Sequence, residues 1–185
     1  MGESATATPR PGGPRGPVRD PHADRLRERF HRHFAGAELP VPVEATPADL
    51  LGLLVEEGVE LDCSGLLLPD ERRIVLDAAE AAESPGRGRF TLAHEVGHWV
   101  CQVLEGRSEP VYCRAVDAGR PARPHPPLER EANVFAAELL MPESLVVAEW
   151  LRAASCAELA RSFGVSENAM HWRLYNAGLV EERPQ

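Results

Sequence analysis

The stretch TLAHEVGHWV, Thr91 to Val100, holds His94, Glu95 and His98 in the pattern HExxH. On an α-helix, positions four apart lie one above the other, so the two imidazoles can converge on one metal ion with Glu95 beside them. Two nitrogen ligands and an adjacent carboxylate form the layout by which peptidases hold a catalytic zinc and place a general base. The surroundings read as helical: Phe90, Leu92, Val96, Val100, Val103 and Leu104 recur at helical spacing, and Gly106 suits the position just past a helix end. Gly97 costs a helix ~1 kcal/mol relative to Ala, so its place inside the motif implies close approach of another backbone or of a ligand.

Catalytic zinc takes three protein ligands and keeps an open position, and HExxH supplies two. The next helical segment, LEREANVFAAELLM from Leu128 to Met141, stops at Pro142, and Leu128, Ala132, Phe135, Ala136, Leu139 and Leu140 form its apolar face. Glu129 and Asn133 stand one turn apart on one side, and Glu129 is the preferred third ligand. Glu131 is its competitor. It lies about 200° around the helix from Glu129, so both cannot face the metal, and Glu131 is expected exposed or salt-bridged. Glu138 is expected on the helix's polar edge.

On these residues the sequence resembles the ImmA/IrrE family of metallopeptidases. RFTLAHEVGHWV, followed by EREANVFAAELLMP, is similar to the family's paired signature, and GVSENAMHWRLYNAGLV is similar to its C-terminal end; the resemblance covers Thr46 to Glu181. It implies one zinc ion per chain, ligated by His94, His98 and the first acid of ExxxN, Glu129. It assigns Asn133 to orienting a ligand histidine through its other ring nitrogen. The alternative for Asn133 is a buried amide satisfied by backbone.

With zinc at that site, Glu95 would take the proton of the attacking water and return it to the leaving amine. An oxyanion donor is still required. Tyr112, Arg114 and His125 are the candidates, and no spacing rule selects among them. His125 as a metal ligand is disfavoured because Pro126 and Pro127 follow it. Cys101, three residues after His98, invites a redox reading, either as a thiolate on the metal or as a disulfide with Cys113; a buried apolar role is the plainer alternative.

The charge balance bounds the partners. The net charge is −9, and seven Arg against four acids fall between Met1 and Arg32, so the remainder is strongly acidic and a poor non-specific nucleic-acid binder. No run of 18 apolar residues spans a membrane, and the N-terminus lacks a signal peptide's apolar stretch, so a cytoplasmic protein with mostly reduced cysteines is expected.

Residues 1–21, rich in Pro, Gly and Arg, read as a disordered tail. His22 to Phe34 reads as an amphipathic helix with Leu26, Phe30 and Phe34 on its stripe, and His31 and His33 as surface residues. Thr46, Pro47 and Asp49 open a second helix that stops at Gly58. Val59–Cys63, Leu66–Leu68 and Arg73–Asp77 read as strands of a small antiparallel sheet, whose edge can pair with an extended peptide or be purely structural. Ala78 to Gly88 reads as a loop, and Arg107 to Pro127 as a long irregular flap.

Ser144 to Ala154 continues as a helix, and AELARSFGVSENAMHWRLYNAGLV reads as helix, turn at Gly164, helix, with Ser166 as a cap and Ala157, Leu159, Ala160, Val165, Ala169 and Leu174 at core spacing. A DNA reader presents cations to phosphate, and the second helix offers only Arg173 with His171. It is therefore expected to pack or to dock a partner, with Trp172 and Tyr175 in the core.

The expected fold is α+β: a zincin-like peptidase domain over 22–143, with a small antiparallel sheet and an HExxH helix, and a helical, helix-turn-helix-like module over 144–185. The expected function is a zinc-dependent metallo-endopeptidase. The resemblance implies a regulatory protease that cleaves a transcriptional repressor, itself a helix-turn-helix protein. The alternative is a zinc-containing regulatory protein that binds DNA or a repressor without cutting.

Overall fold

Burial alternates along Arg73–Asp77, with Ile74 and Leu76 buried and their neighbours partly covered, the pattern of a strand with one face on a core. In the computed structural model, which describes residues 21–33, 39–45, 47–107, 112–115, 126–153 and 155–184, this strand is β3. β1 (Leu54–Gly58) pairs parallel to it, β2 (Cys63–Leu68) antiparallel, and β4 (Tyr112–Ala115) antiparallel to β2. The sheet order is β1-β3-β2-β4.

The sheet is therefore mixed, not antiparallel, and its first strand is not Val59–Cys63. Gly52 is the reason. It turns left-handed at φ 63°, ending the helix begun at Pro47 after a single π-helical turn, Pro47–Leu51. The Arg72 guanidinium donates to the carbonyls of Leu51 at 2.8 Å and Gly52 at 3.2 Å, satisfying the truncated end. The chain then runs extended beside β3, leaving Val59 exposed beyond the strand. Thr46, the expected cap, lies outside the described residues.

The expected loop at 78–88 is helical. The Asp77 carboxylate accepts from the Glu80 amide at 2.7 Å and caps α2 (Ala78–Glu83), whose Ala and Glu residues have high helix propensity but no apolar stripe to betray them. Pro85 then opens α3 (Pro85–His98), which continues as a π-helical turn, Trp99–Val103, and ends at Gly106 with φ 71°. α4 spans Pro126–Leu140, so the two prolines sit in its first turn rather than barring the helix. The core between α3 and α4 contains Val96, Phe135, Ala136 and Leu139, all fully buried, each large apolar side chain contributing ~1.5–3 kcal/mol. A Cβ at Gly97 would lie 3.0 Å from Phe135 Cδ1 and 3.1 Å from the Ala132 carbonyl oxygen. This is the close backbone approach that the glycine implied.

At the start of the chain, α1 (Pro21–His33) buries Ala23 and Leu26; the side chains of Phe30, His31 and His33, and all of Phe34, fall outside the described residues, as do the tail 1–20 and flap residues 108–111 and 116–125. Of the expected flap, Tyr112–Ala115 is strand rather than irregular chain. Among the described residues no helix is long and apolar enough to cross a membrane.

After Pro142 come α5 (Glu143–Trp150), α6 (Cys156–Phe163) and α7 (Glu167–Asn176). Ser155 and Ser166 cap α6 and α7 through their hydroxyls, and Gly164 at φ 64° turns the chain between them. That turn rests on α3. A Cβ at Gly86 would come within 2.6 Å of the Val165 and Ser166 backbone, and Arg89 Nε donates to the Gly164 carbonyl at 2.9 Å. The same guanidinium bonds the Val41 carbonyl and Glu44, so one α3 side chain ties three segments together.

Two charges differ from expectation. Glu138 is buried rather than on a polar edge, and it pairs with Arg173, itself buried rather than turned outward. Arg173 Nε also donates to the Met141 carbonyl at 2.9 Å. α7 lies against the end of α4 among Met141, Met170 and Leu174, where neither charge meets water, so each is kept by the other. Trp172 and Tyr175 are half-buried and meet edge to face at 6.1 Å, and Arg183 covers the Trp172 ring, so neither aromatic is a core residue.

Breaking the Glu138–Arg173 pair on one side only should be far costlier than removing both. Arg173→Leu is expected to lower unfolding free energy by ~3–5 kcal/mol in urea titrations, and Arg173→Leu with Glu138→Leu to recover most of that loss. Equal losses in the single and double variants would show that the buried charge is not what the arginine neutralises.

Candidate active site

His94 and His98 stand on successive turns of α3, both fully buried, with ring centroids 4.6 Å apart and planes at 86°. Their Nε2 atoms are 3.0 Å apart. Glu129, in the first turn of α4, brings Oε2 to 3.2 Å from His94 Nε2 and Oε1 to 3.3 Å from His98 Nε2. Ligand atoms at 2.0–2.1 Å around a tetrahedral zinc lie about 3.3 Å from one another. The two nitrogens, and each nitrogen with its nearer Glu129 oxygen, thus already lie at about that spacing. Among the described residues these are the ones grouped so that they can hold a metal ion. Glu129 is the partly exposed member of the three.

Each imidazole turns Nε2 inward because its other nitrogen is engaged. His94 Nδ1 donates to Asn133 Oδ1 at 3.0 Å, one helical turn beyond Glu129. Asn133 itself is exposed, so it is not the buried, backbone-satisfied amide of the alternative reading. His98 Nδ1 donates to Gln102 Oε1 at 2.8 Å. Gln102 escaped the sequence reading, although its position one turn after His98 was a usable signal. Glu131 points away from the cluster, bonded by Gln102 at 3.3 Å and by Arg107 at 3.0 Å, as its position on the helix required.

Glu95 is fully buried beside the cluster, over β2. Gly65 makes room for it: a Cβ there would lie 3.2 Å from Glu95 Oε1 and 2.6 Å from Thr91 Cγ2. Nothing in the sequence singled out Gly65, because its demand comes from a helix packed across the strand.

Of the candidate oxyanion donors, Tyr112 and Arg114 lie on β4, opposite Leu67 and Gly65; their side chains, and His125 altogether, fall outside the described residues. Cys101 is buried in the core, is in no disulfide, so the expected bond to Cys113 is not formed, and is not one of the residues grouped to hold a metal. Cys63 is disulfide-bonded, against the expectation of a mostly reduced set, and Cys156 is free.

The charges favour a cation. Burial alone would raise the Glu129 carboxyl, but hydrogen bonds from His94 and His98 and their charges hold it down at about 2. Burial likewise pushes His98 down, yet Glu129, Glu95 and Gln102 together outweigh it and leave the imidazole above its usual 6.5.

Residues 63–175, more than half of the chain, match the family model Peptidase_M78, the IrrE N-terminal-like domain. No curated protein matches the chain.

The raised His98 sets the sign of a pH effect. Metal needs the neutral imidazole, and the proton on His98 is released only as pH rises through a value above 6.5. Zinc affinity, measured by chelator competition from about pH 8 down to about pH 5, should fall about tenfold per pH unit for each imidazole proton displaced. Glu129, ionised down to about 2, should add nothing in that range. A flat profile would contradict the assignment of these imidazoles to the metal.

Proposed function

The chain belongs to the ImmA/IrrE family of peptidases, and on that premise we propose that it is a zinc-dependent endopeptidase with His94, His98 and Glu129 as metal ligands and Glu95 as general base. The observation that carries this reading is the convergence of His94, His98 and Glu129 from two helices, with the two Nε2 atoms 3.0 Å apart and the two Glu129 oxygens at 3.2 Å from His94 and 3.3 Å from His98, beside the buried carboxyl group of Glu95. Two imidazoles and one carboxylate suit zinc in its catalytic form, which keeps a position for solvent.

His94, His98 and Glu129 would hold the zinc, which when bound would supply Lewis acidity toward the scissile carbonyl and toward the attacking water. The chain's own residues do the rest. Asn133 and Gln102 hold the two imidazoles in the tautomer that turns Nε2 inward. Glu95, set by the missing side chain at Gly65, takes the proton of the attacking water and hands it to the departing amine nitrogen. β4, at one edge of the sheet and paired to the strand beneath Glu95, offers main-chain groups to an extended peptide.

The substrate we propose is a protein, a helix-turn-helix transcriptional repressor cut in the cytoplasm as a regulatory step, as the family resemblance implies. α6 and α7 form a helix-turn-helix-like unit serving as packing or docking surface, with its buried side packed against α3 and α4. The use of Arg173 in a buried ion pair supports that role over DNA reading, since it removes the one arginine of α7 from any phosphate. A non-proteolytic zinc protein that only binds DNA or a repressor is the second reading, and the buried Glu95 beside the cluster speaks against it.

Glu95→Gln separates the two. It should keep one zinc per chain while peptide-bond cleavage falls by roughly 10²- to 10⁴-fold, measured as repressor cleavage and as derepression in cells. Equal derepression by wild type and variant, with zinc retained, would favour the binding protein.

A further inference from the structure

We propose that Gln102 is a positioning residue for the metal centre, fixing the ring of His98 and, with the same amide, setting the start of α4 that carries Glu129. The proposal rests on the metallopeptidase reading. Gln102 lies in the π-helical turn that follows α3, and its side chain is fully buried. Its Oε1 accepts from His98 Nδ1 at 2.8 Å, and its Nε2 donates to the Leu128 carbonyl at 2.8 Å and to Glu131 Oε2 at 3.3 Å.

The orientation of that amide follows from its neighbours. A carbonyl and a carboxylate both face one end of it, and both can only accept hydrogen bonds. That end must therefore be the NH₂ group. The oxygen then faces His98, which requires the proton on Nδ1 and leaves the Nε2 lone pair for the metal. Glu131 is itself fixed by Arg107, whose guanidinium reaches both its oxygens at 3.0 and 3.1 Å and also donates to the Cys101 carbonyl. A polar chain thus runs from Arg107 through Glu131 and Gln102 to His98.

A glutamate at 102 could not do both jobs. It would have no proton for the Leu128 carbonyl at neutral pH, and it would face the Glu131 carboxylate. The amide orients the imidazole without adding negative charge to a centre that already holds Glu95 and Glu129. His94 lacks this arrangement: its partner, Asn133, is exposed and sits on α4 itself. Gln102, which is not itself among the ligand residues, instead joins His98 to the α4 backbone through a buried side chain.

The experiment compares wild type, Gln102→Leu and Glu131→Ala in the full chain, by zinc affinity in chelator competition and by the visible spectrum of the cobalt-substituted protein. Gln102→Leu should weaken zinc by about 10- to 100-fold and alter the cobalt bands, while metal-free protein keeps its fold by circular dichroism. Glu131→Ala, a partly exposed site that should not threaten folding, removes one of the two acceptors that orient the amide. It should weaken zinc in the same direction by a smaller factor, and it decides the matter if Gln102→Leu fails to fold. Affinity within twofold of wild type and unchanged cobalt bands in the folded variant would overturn the role of Gln102 and leave the metallopeptidase reading standing. A wild-type chain that binds no divalent metal would overturn both.

Discussion

For His94, His98 and Glu129 to hold one ion, atoms from two helices must meet, and the close packing of α3 on α4 is the constraint on which the rest depends. Gly97 sits between His94 and His98 and lets the Ala132 backbone and the Phe135 ring approach within about a van der Waals contact of α3. A side chain there would push α4 outward. Glu129, in the first turn of α4, would retreat with it. The glycine thus accepts a cost of ~1 kcal/mol in helix propensity in return for the spacing of the cluster.

The layers around that contact serve the same end. β2 passes under α3 with Gly65 beneath Glu95, so the carboxyl group lies against backbone where a side chain would have displaced it. On the other flank Arg89 fastens α3 to the turn at Gly164, and the buried Glu138–Arg173 pair fastens α4 to α7. Both helices that carry the His94, His98 and Glu129 side chains are therefore braced by the C-terminal helices. Polarity is distributed to match: each ligand imidazole has an oxygen acceptor on Nδ1, and the ligand carboxylate is held ionised by the imidazoles it faces.

The site was more legible in the sequence than the fold around it. His94, Glu95 and His98 announce themselves because a metal site on a helix demands a fixed spacing, and Glu129 with Asn133 follows from the same four-residue repeat. Gln102 obeyed that repeat too, but glutamine is not a metal ligand and was passed over. Gly65 was invisible, since its requirement arises from an element distant in sequence. The errors in the sheet share a physical cause. LGLLVEEG has the apolar spacing of a helix, and only the left-handed turn at Gly52, with Arg72 closing the helix end, commits it to a strand parallel to β3. Arg173 and Glu138 were read as surface charges because composition cannot reveal that two opposite charges 35 residues apart meet inside the core.

The most direct test of the central claim is X-ray absorption on the zinc-loaded chain, which counts and identifies the atoms around the metal. The account predicts one zinc with two imidazole nitrogens and one carboxylate oxygen from the protein at about 2.0–2.1 Å, plus one further light atom from solvent. Sulfur in the coordination sphere, four protein ligands with no solvent position, or a single imidazole would contradict it.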